Sequence, residues 1–375
     1  MARTGFAHLP LHGGRAPSWL FQRMVPLSRE IIVFLASEFG RAEVLRRLSD
    51  PYWFQAFGCV LGFDWHSSGL TTTVCGALKE GLRGTENELG IYVAGGKGAT
   101  SRKTPAEITA ACEHLGREPD SLVYASRISA KVDNSAVQDG YQLYHHSFLF
   151  TREGEWCIVQ QGMSDETSMA RRYHWLSDNV QSYVNEPHAA ICCDQPAPTL
   201  NLVAAESAEV RHASAGLARE KPQVTLEALG HVDIPAHSAN PGELPFLELP
   251  RRHNVAPAFD INPKYLEKVL LRTYERAPKD FESLLAIEGV GAKTLRALAL
   301  TSELIYGKAP SHRDPARYSF AHGGKDGTPF PIDRKTYDKS IEVMHTALNA
   351  AKVDRTEKVK AFRRLAEFAS LRTAA

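Results

Sequence analysis

The period of the hydrophobic pattern changes along this chain, and that change restricts its architecture more than any single motif. Over residues 89–193 the apolar residues come in short strand-like runs, at 91–93, 122–124, 142–150, 156–161 and 189–193. Residues 141–150 and 156–163 flank Thr151-Arg152-Glu153-Gly154-Glu155, a polar connection containing glycine, which predicts a β-hairpin. Ahead of this region, Trp19, Leu20, Met24, Leu27, Ile31, Phe34 and Leu35 recur at helical steps, with Pro26 expected to break the segment into two helices. Helical spacing returns after Pro263, over 265–275, 280–287, 292–305, 334–351 and 357–371. Nine prolines fall from Gln195 to Pro263 inclusive. The expected fold class is therefore an α/β N-terminal domain with a mixed sheet (1–195), a Pro-rich, partly packed connector (196–262) and an all-α, basic C-terminal domain (263–375).

Charge and composition sharpen this division. Residues 1–250 carry 21 Lys+Arg against 28 Asp+Glu, whereas residues 251–375 carry 23 against 15. A basic module joined to an acidic body suits a polyanion-binding domain, although a solvated basic surface gives the same count. All five tryptophans and all six cysteines lie before residue 195. The cysteines form no C-x-x-C pair, so a zinc ribbon or disulfide scaffold is not expected and reduced thiols are. At 43% hydrophobic and 23% charged residues the 375-residue chain has ordinary globular composition. It has no apolar run of the roughly 18 residues a membrane span needs, and residues 1–14 lack the charged-then-apolar order of a signal peptide. The expected location is the cytoplasm, with no membrane partner.

Phe281-Glu282-Ser283-Leu284-Leu285-Ala286-Ile287-Glu288-Gly289-Val290-Gly291-Ala292-Lys293-Thr294 reads as helix, glycine turn, helix. It is similar to the helix-hairpin-helix motif of DNA-repair proteins. Gly289 and Gly291 let the backbone turn tightly around Val290 and approach a phosphate, and amides at the start of the second helix, near Lys293 and Thr294, bind the anion. Such a contact reads backbone rather than bases, so it predicts sequence-independent, salt-sensitive DNA binding. Two further glycine loops, Gly95-Gly96-Lys97 and Gly323-Gly324-Lys325, offer phosphate cradles, but neither has the spacing of a nucleotide-binding P-loop.

The first domain is dense in groups able to do chemistry. Asp64 and His66 are two residues apart, as are Lys131 and Asp133, so on an extended strand each pair would share a face. Asp139 follows, then His145 and His146 on one hairpin strand and Gln160 and Gln161 on the other. Neighbours on a strand face opposite ways, so only one of each pair can enter a given site. Carboxylates holding a hard divalent ion beside a lysine are the composition of metal-dependent nucleases, here with Asp64, Asp133 and Asp139 as metal ligands and Mg²⁺ or Mn²⁺ as the expected cofactor. The order Lys-x-Asp reverses the usual acid-x-Lys. Alternatively, Asp64 and His66 with His174 or His188 complete a transition-metal site.

In helix-hairpin-helix glycosylases with lyase activity the lysine after the hairpin is the nucleophile, and an aspartate lies about 20 residues on. Lys293 and Asp314 occupy those places. The whole chain resembles an uncharacterised prokaryotic family defined by a domain of unknown function, the one numbered 763. The resemblance is carried by Leu9-Pro10-Leu11-His12-Gly13-Gly14, Gly62-Phe63-Asp64-Trp65-His66-Ser67-Ser68-Gly69, Ala130-Lys131-Val132-Asp133, Gln138-Asp139-Gly140-Tyr141, Val159-Gln160-Gln161-Gly162-Met163 and Phe320-Ala321-His322-Gly323-Gly324-Lys325-Asp326-Gly327. It implies no catalytic residue. The chemistry points to a DNA-processing or DNA-repair enzyme, a divalent-metal-dependent nuclease, with a glycosylase/lyase using Lys293 or a non-enzymatic DNA-binding adaptor as alternatives.

Overall fold

A computed structural model of the chain describes residues 17–63, 68–164, 169–192, 199–230, 263–316 and 334–370. Asp64, His66, Gly323, Gly324 and Lys325 lie outside them. The architecture is mixed α/β: a five-stranded antiparallel sheet, β1 (Ile91–Lys97), β3 (Gln142–Thr151), β4 (Trp156–Ser164), β5 (Met169–Leu176) and β6 (Ala190–Cys192), in spatial order β1-β3-β4-β5-β6, beside a two-stranded pair of β2 (Val137–Gln138) and β7 (Leu200–Asn201).

The expected hairpin forms. Phe150 pairs with Trp156 across the turn, Thr151 N–H donates to the Glu155 carbonyl at 2.9 Å, and Gly154 takes φ +98°, where a side chain would be strained. Counting back from that turn, the register sets His146 opposite Gln160 and His145 opposite Gln161, and β5 adds Tyr173 and Arg172 to the same two rows. Alternation along each strand then gives the sheet two apolar faces. Tyr92, Phe148, Phe150, Trp156, Ile158 and Trp175 fill the first, and Ile91, Leu149, Cys157, Val159 and Leu176 the second. A sheet apolar on both sides has to be covered on both sides.

Helices α1 (Ser18–Phe39), α2 (Arg41–Ser49), α3 (Pro51–Val60) and α4 (Gly69–Leu82) cover the second face. Contrary to expectation α1 runs unbroken through Pro26, whose ring is solvent-exposed; Met24, Leu27, Ile31, Ile32 and Leu35 are buried along its inner stripe and offset the roughly 3 kcal/mol cost of an internal proline. The short α5 (Glu86–Leu89) leads into β1. The first face is covered by α6 (Thr104–Leu115) and α7 (Asp120–Lys131). Residues 122–124, expected as strand, belong to α7: Leu122, Ala125, Ile128 and Ser129 recur at helical steps and are buried, and that longer period overrides the local apolar run.

The helices after the sheet divide between the faces. α8 (Ala208–Leu217), α9 (Pro222–Gly230), α10 (Pro263–Arg276), α11 (Phe281–Ala286) and α12 (Ala292–Tyr306) lie on the first, where Val210, Leu217, Leu266, Phe281, Leu285 and Leu298 join the core and Leu226 packs against it. α13 (Arg334–Ala350) and α14 (Arg355–Ser370) add Met344, Leu348 and Leu365 to the second. Arg23 pairs with Glu357 at 3.0 Å and Lys352 N–H reaches Glu30 at 3.1 Å, tying the last two helices to α1. The first core thus takes residues from both sides of positions 195 and 263, and the second joins helices before residue 90 to helices after residue 334. Among the described residues no helix is long and apolar enough to cross a membrane, and no disulfide joins the cysteines.

Leu348→Ala is expected to lower unfolding stability by about 2–5 kcal/mol and to shift the unfolding transition seen by fluorescence of Trp53, which lies in the same core. A separately folding C-terminal unit would leave the Trp53 transition where it was.

Candidate active site

Helix α7 runs directly into a π-turn, Val132–Ala136, and the wider turn carries Asp133 under the first face of the sheet. Asp133 is fully buried. Its Oδ2 accepts from the Trp175 indole N–H (3.0 Å) and from Gln160 Nε2 (2.5 Å), and its Oδ1 lies 2.5 Å from His188 Nε2. Burial raises the Asp133 carboxyl above its ordinary pKa, while the neighbouring His188 pulls it back.

This carboxylate orients a chain of side chains. Because Gln160 gives its amide nitrogen to Asp133, its carbonyl Oε1 faces His146 Nδ1 at 2.8 Å, which must then carry the ring proton. His146 Nε2 is left as acceptor, and Ser126 Oγ lies 2.9 Å from it, donating its hydroxyl hydrogen. Burial holds His146 below the usual imidazole pKa, with Gln160 and Asp133 opposing that shift, so the ring is a neutral base at pH 7.

Ser126, His146 and Gln160 line a cleft of about 250 Å³ over β3, between the start of α6 and α7. Arg102 and Arg127 stand at its exposed wall, and the Lys97 ammonium lies 5.7 Å above the ring of Tyr144, also a lining residue. None of the eleven lining residues is acidic. The arrangement is a serine hydroxyl, an oriented imidazole and flanking guanidinium groups, a set able to activate a nucleophile toward an anionic electrophile.

Other expected site residues go elsewhere. Lys131 does not face Asp133: the two were expected on a strand, but they span the end of a helix, where positions two apart point roughly 200° from each other. Lys131 Nζ instead donates to the carbonyls of Leu285 (2.7 Å) and Ile287 (2.6 Å) at the end of α11, groups that a helix leaves unsatisfied. Asp139 accepts from Tyr141 N–H (3.0 Å), Arg171 (2.9 Å) and Tyr173 O–H (2.7 Å). The same Arg171 grips Asp314 through both guanidinium nitrogens, at 2.7 and 3.1 Å. Asp314, expected as partner of Lys293, therefore serves as counter-charge to a buried arginine. His145 faces the other side of the sheet, 3.1 Å from Ser147 Oγ, and His174 lies there too, 2.9 Å from Arg172 Nε. Gly95, Gly96 and Lys97 are the end of β1 rather than a loop. Gly95 N–H donates to Glu107 (2.7 Å), and with φ +88° a Cβ there would lie 2.2 Å from the His146 carbonyl, so glycine is needed for strand contact.

Among the described residues no three of His, Cys, Asp and Glu are grouped to hold a metal ion. Two of the three expected ligands are already engaged, Asp133 by nitrogen groups and Asp139 by N–H and O–H donors. Sequence reading missed Ser126, Arg102, Arg127 and Trp175, since a serine inside a helix, an exposed arginine and a core tryptophan carry no signal of their own; the pairing of Gln160 with His146 was available by counting from the hairpin turn.

The protein-family comparison matches residues 5–332 to a family described as Protein of unknown function (DUF763). No curated protein and no solved structure matches the chain.

Two outcomes follow from the geometry. Lys131→Met keeps the stem but strips the α11 carbonyls of a charged donor, and is expected to lower stability by about 1.5–3 kcal/mol in urea unfolding. The His145 ring, pushed down to about 3 by burial, stays neutral when folded but takes a proton in the unfolded chain near pH 6.5. Its contribution is intact above pH 6.5 and is lost as pH falls toward 3. His145→Gln should therefore shrink the stability difference between pH 7.5 and pH 5.5 by about 1.4 kcal/mol. An unchanged difference would mean that the ring protonates in the folded state.

Proposed function

We propose that this chain, which belongs to the Protein of unknown function (DUF763) family, is a DNA-processing enzyme that grips the DNA backbone through a helix-hairpin-helix formed by α11, the turn 287–291 and α12. Local chemistry builds the hairpin. Asp280 caps α11 in a capping box with Ser283, Val290 is a buried anchor, and Gly289 takes φ +90°. Gly291 precedes α12 and gives that helix no side-chain cap, and a Cβ built on it meets nothing within 4 Å, so the backbone there is open to a phosphate. Lys293 is exposed one residue inside the helix, and Thr294 is buried behind it.

The observation that carries the reading is the double role of α7. Arg127 lines the cleft, and Lys131, one helical turn on, binds the carbonyls that shape the hairpin. Tyr124 on the same helix donates to Glu282 of α11 at 2.6 Å. A backbone held at the hairpin would thus lie beside a basic cleft containing an oriented Ser–His pair. For the metal-dependent route, Asp64 would have to bring ligands other than Asp133 and Asp139 as they stand. For the lyase route, Lys293 would have to work without Asp314.

Fluorescence anisotropy with a short labelled duplex across a salt series tests the grip. Gly291→Val should weaken binding severalfold without loss of thermal stability, since the fold has room for the side chain. Lys293→Ala should weaken binding on every sequence and reduce the slope of log K against log salt by about one. Unaltered binding in both variants would reject the hairpin as the DNA contact.

A further inference from the structure

We infer that Ser126 is a covalent nucleophile, activated by His146, and that the cleft around it accepts a phosphodiester. The substrate class rests on the DNA reading above; the nucleophile rests on geometry of its own.

A serine within a helix ordinarily turns its hydroxyl back to a carbonyl of the preceding turn. Ser129, on the same helix, does so, with Oγ 3.1 Å from the Ser126 carbonyl. Ser126 instead donates across to His146 Nε2, on a different element and at the floor of an open cleft. The His146 tautomer is dictated from behind by Gln160, and Gln160 by Asp133, whose Oδ2 also takes the donor-only Trp175 indole. Nucleophile, base and orienting amide thus stand in the order that activated-serine and activated-cysteine enzymes use. A purely structural Ser–His bond has no need of a cavity in front of it, nor of an acid-free wall bearing Arg102 and Arg127.

The chemistry balances with water as co-reactant. Ser126 Oγ attacks phosphorus as its proton passes to His146 Nε2; the Oγ–P bond forms, the bond from phosphorus to the leaving oxygen breaks, and His146 returns the proton to that oxygen. Water, deprotonated by the same ring, then attacks phosphorus; the Oγ–P bond breaks and His146 hands its proton to the departing Ser126 Oγ, which restores the hydroxyl and the neutral ring. The guanidinium groups of Arg102 and Arg127 take up charge on the equatorial oxygens. Gln160 and Asp133 act as positioning residues.

The test uses bis(p-nitrophenyl) phosphate, which needs no hairpin, in the presence of EDTA. The full chain should release a burst of p-nitrophenolate and, after acid quenching, show a phosphoryl adduct on the peptide containing Ser126 by mass spectrometry. Ser126→Ala and His146→Gln should each lower turnover by about 10³-fold or more. Gln160→Leu should lower kcat and displace the acid limb of the pH profile, which loss of a structural contact alone would not move. Because the adduct is sought first in the unmodified protein, a variant that fails to fold cannot decide the result. Absence of an adduct, or turnover that survives Ser126→Ala, overturns the nucleophile. Burst kinetics with p-nitrophenyl acetate but not with the phosphodiester overturns the substrate class. An adduct at Ser126 in a protein that does not bind DNA supports the nucleophile and rejects the DNA reading alone.

Discussion

The buried carboxylate of Asp133 is the constraint from which the polar interior follows. With an indole N–H fixed on one oxygen, it can accept a glutamine only through the amide nitrogen. That choice turns the Gln160 carbonyl toward His146, settles which ring nitrogen holds the proton, and makes the Ser126 hydroxyl a donor. Four side chains from α7, the π-turn, β3 and β4 are thus aligned by hydrogen-bond polarity. Their burial makes the alignment stringent, because any reversal sets a desolvated donor against a donor or an acceptor against an acceptor.

The sheet supplies the spacing for this chain. Period-two alternation puts His146, Gln160 and Tyr173 in one row above the first face and His145, Gln161 and Arg172 in another below the second. The hairpin was legible because a polar glycine turn between two alternating runs fixes register by counting, and with it the facing of residues 145–150 and 156–161, as far as the register shift between Leu143 and His145. The geometry around Lys131 and Asp133 was not. Their two-residue spacing suggests a shared face only if the backbone is extended; here the helix ends in a π-turn that sequence periodicity does not announce. The partition of the late helices was hidden for a related reason: periodicity shows that a helix has an apolar stripe, not which face of the sheet it covers.

Helix α7 joins the two parts of the molecule on which the proposed function rests. Its inner face is core, Ser126 and Arg127 meet the cleft, and its last residue, Lys131, holds the turn between α11 and α12 through the carbonyls of Leu285 and Ile287. Lys131, Asp133 and Asp139, expected to share one metal centre, are instead distributed among three tasks. Lys131 holds the carbonyls of Leu285 and Ile287, Asp139 helps neutralise the buried Arg171, and Asp133 orients the Gln160–His146–Ser126 chain. The residue types were visible in the sequence, whereas their division of labour depends on side-chain direction.

Asp133 sets the protonation pattern of His146 through Gln160. Imidazole ¹⁵N chemical shifts of selectively labelled histidine, assigned with the aid of a His146→Gln sample, read that pattern directly. A neutral His146 ring is expected at pH 7, with the proton on Nδ1 and Nε2 as acceptor, and Asp133→Leu should lose that single-tautomer signature. A ring protonated on Nε2, or a His146 spectrum indifferent to the Asp133 substitution, would contradict it.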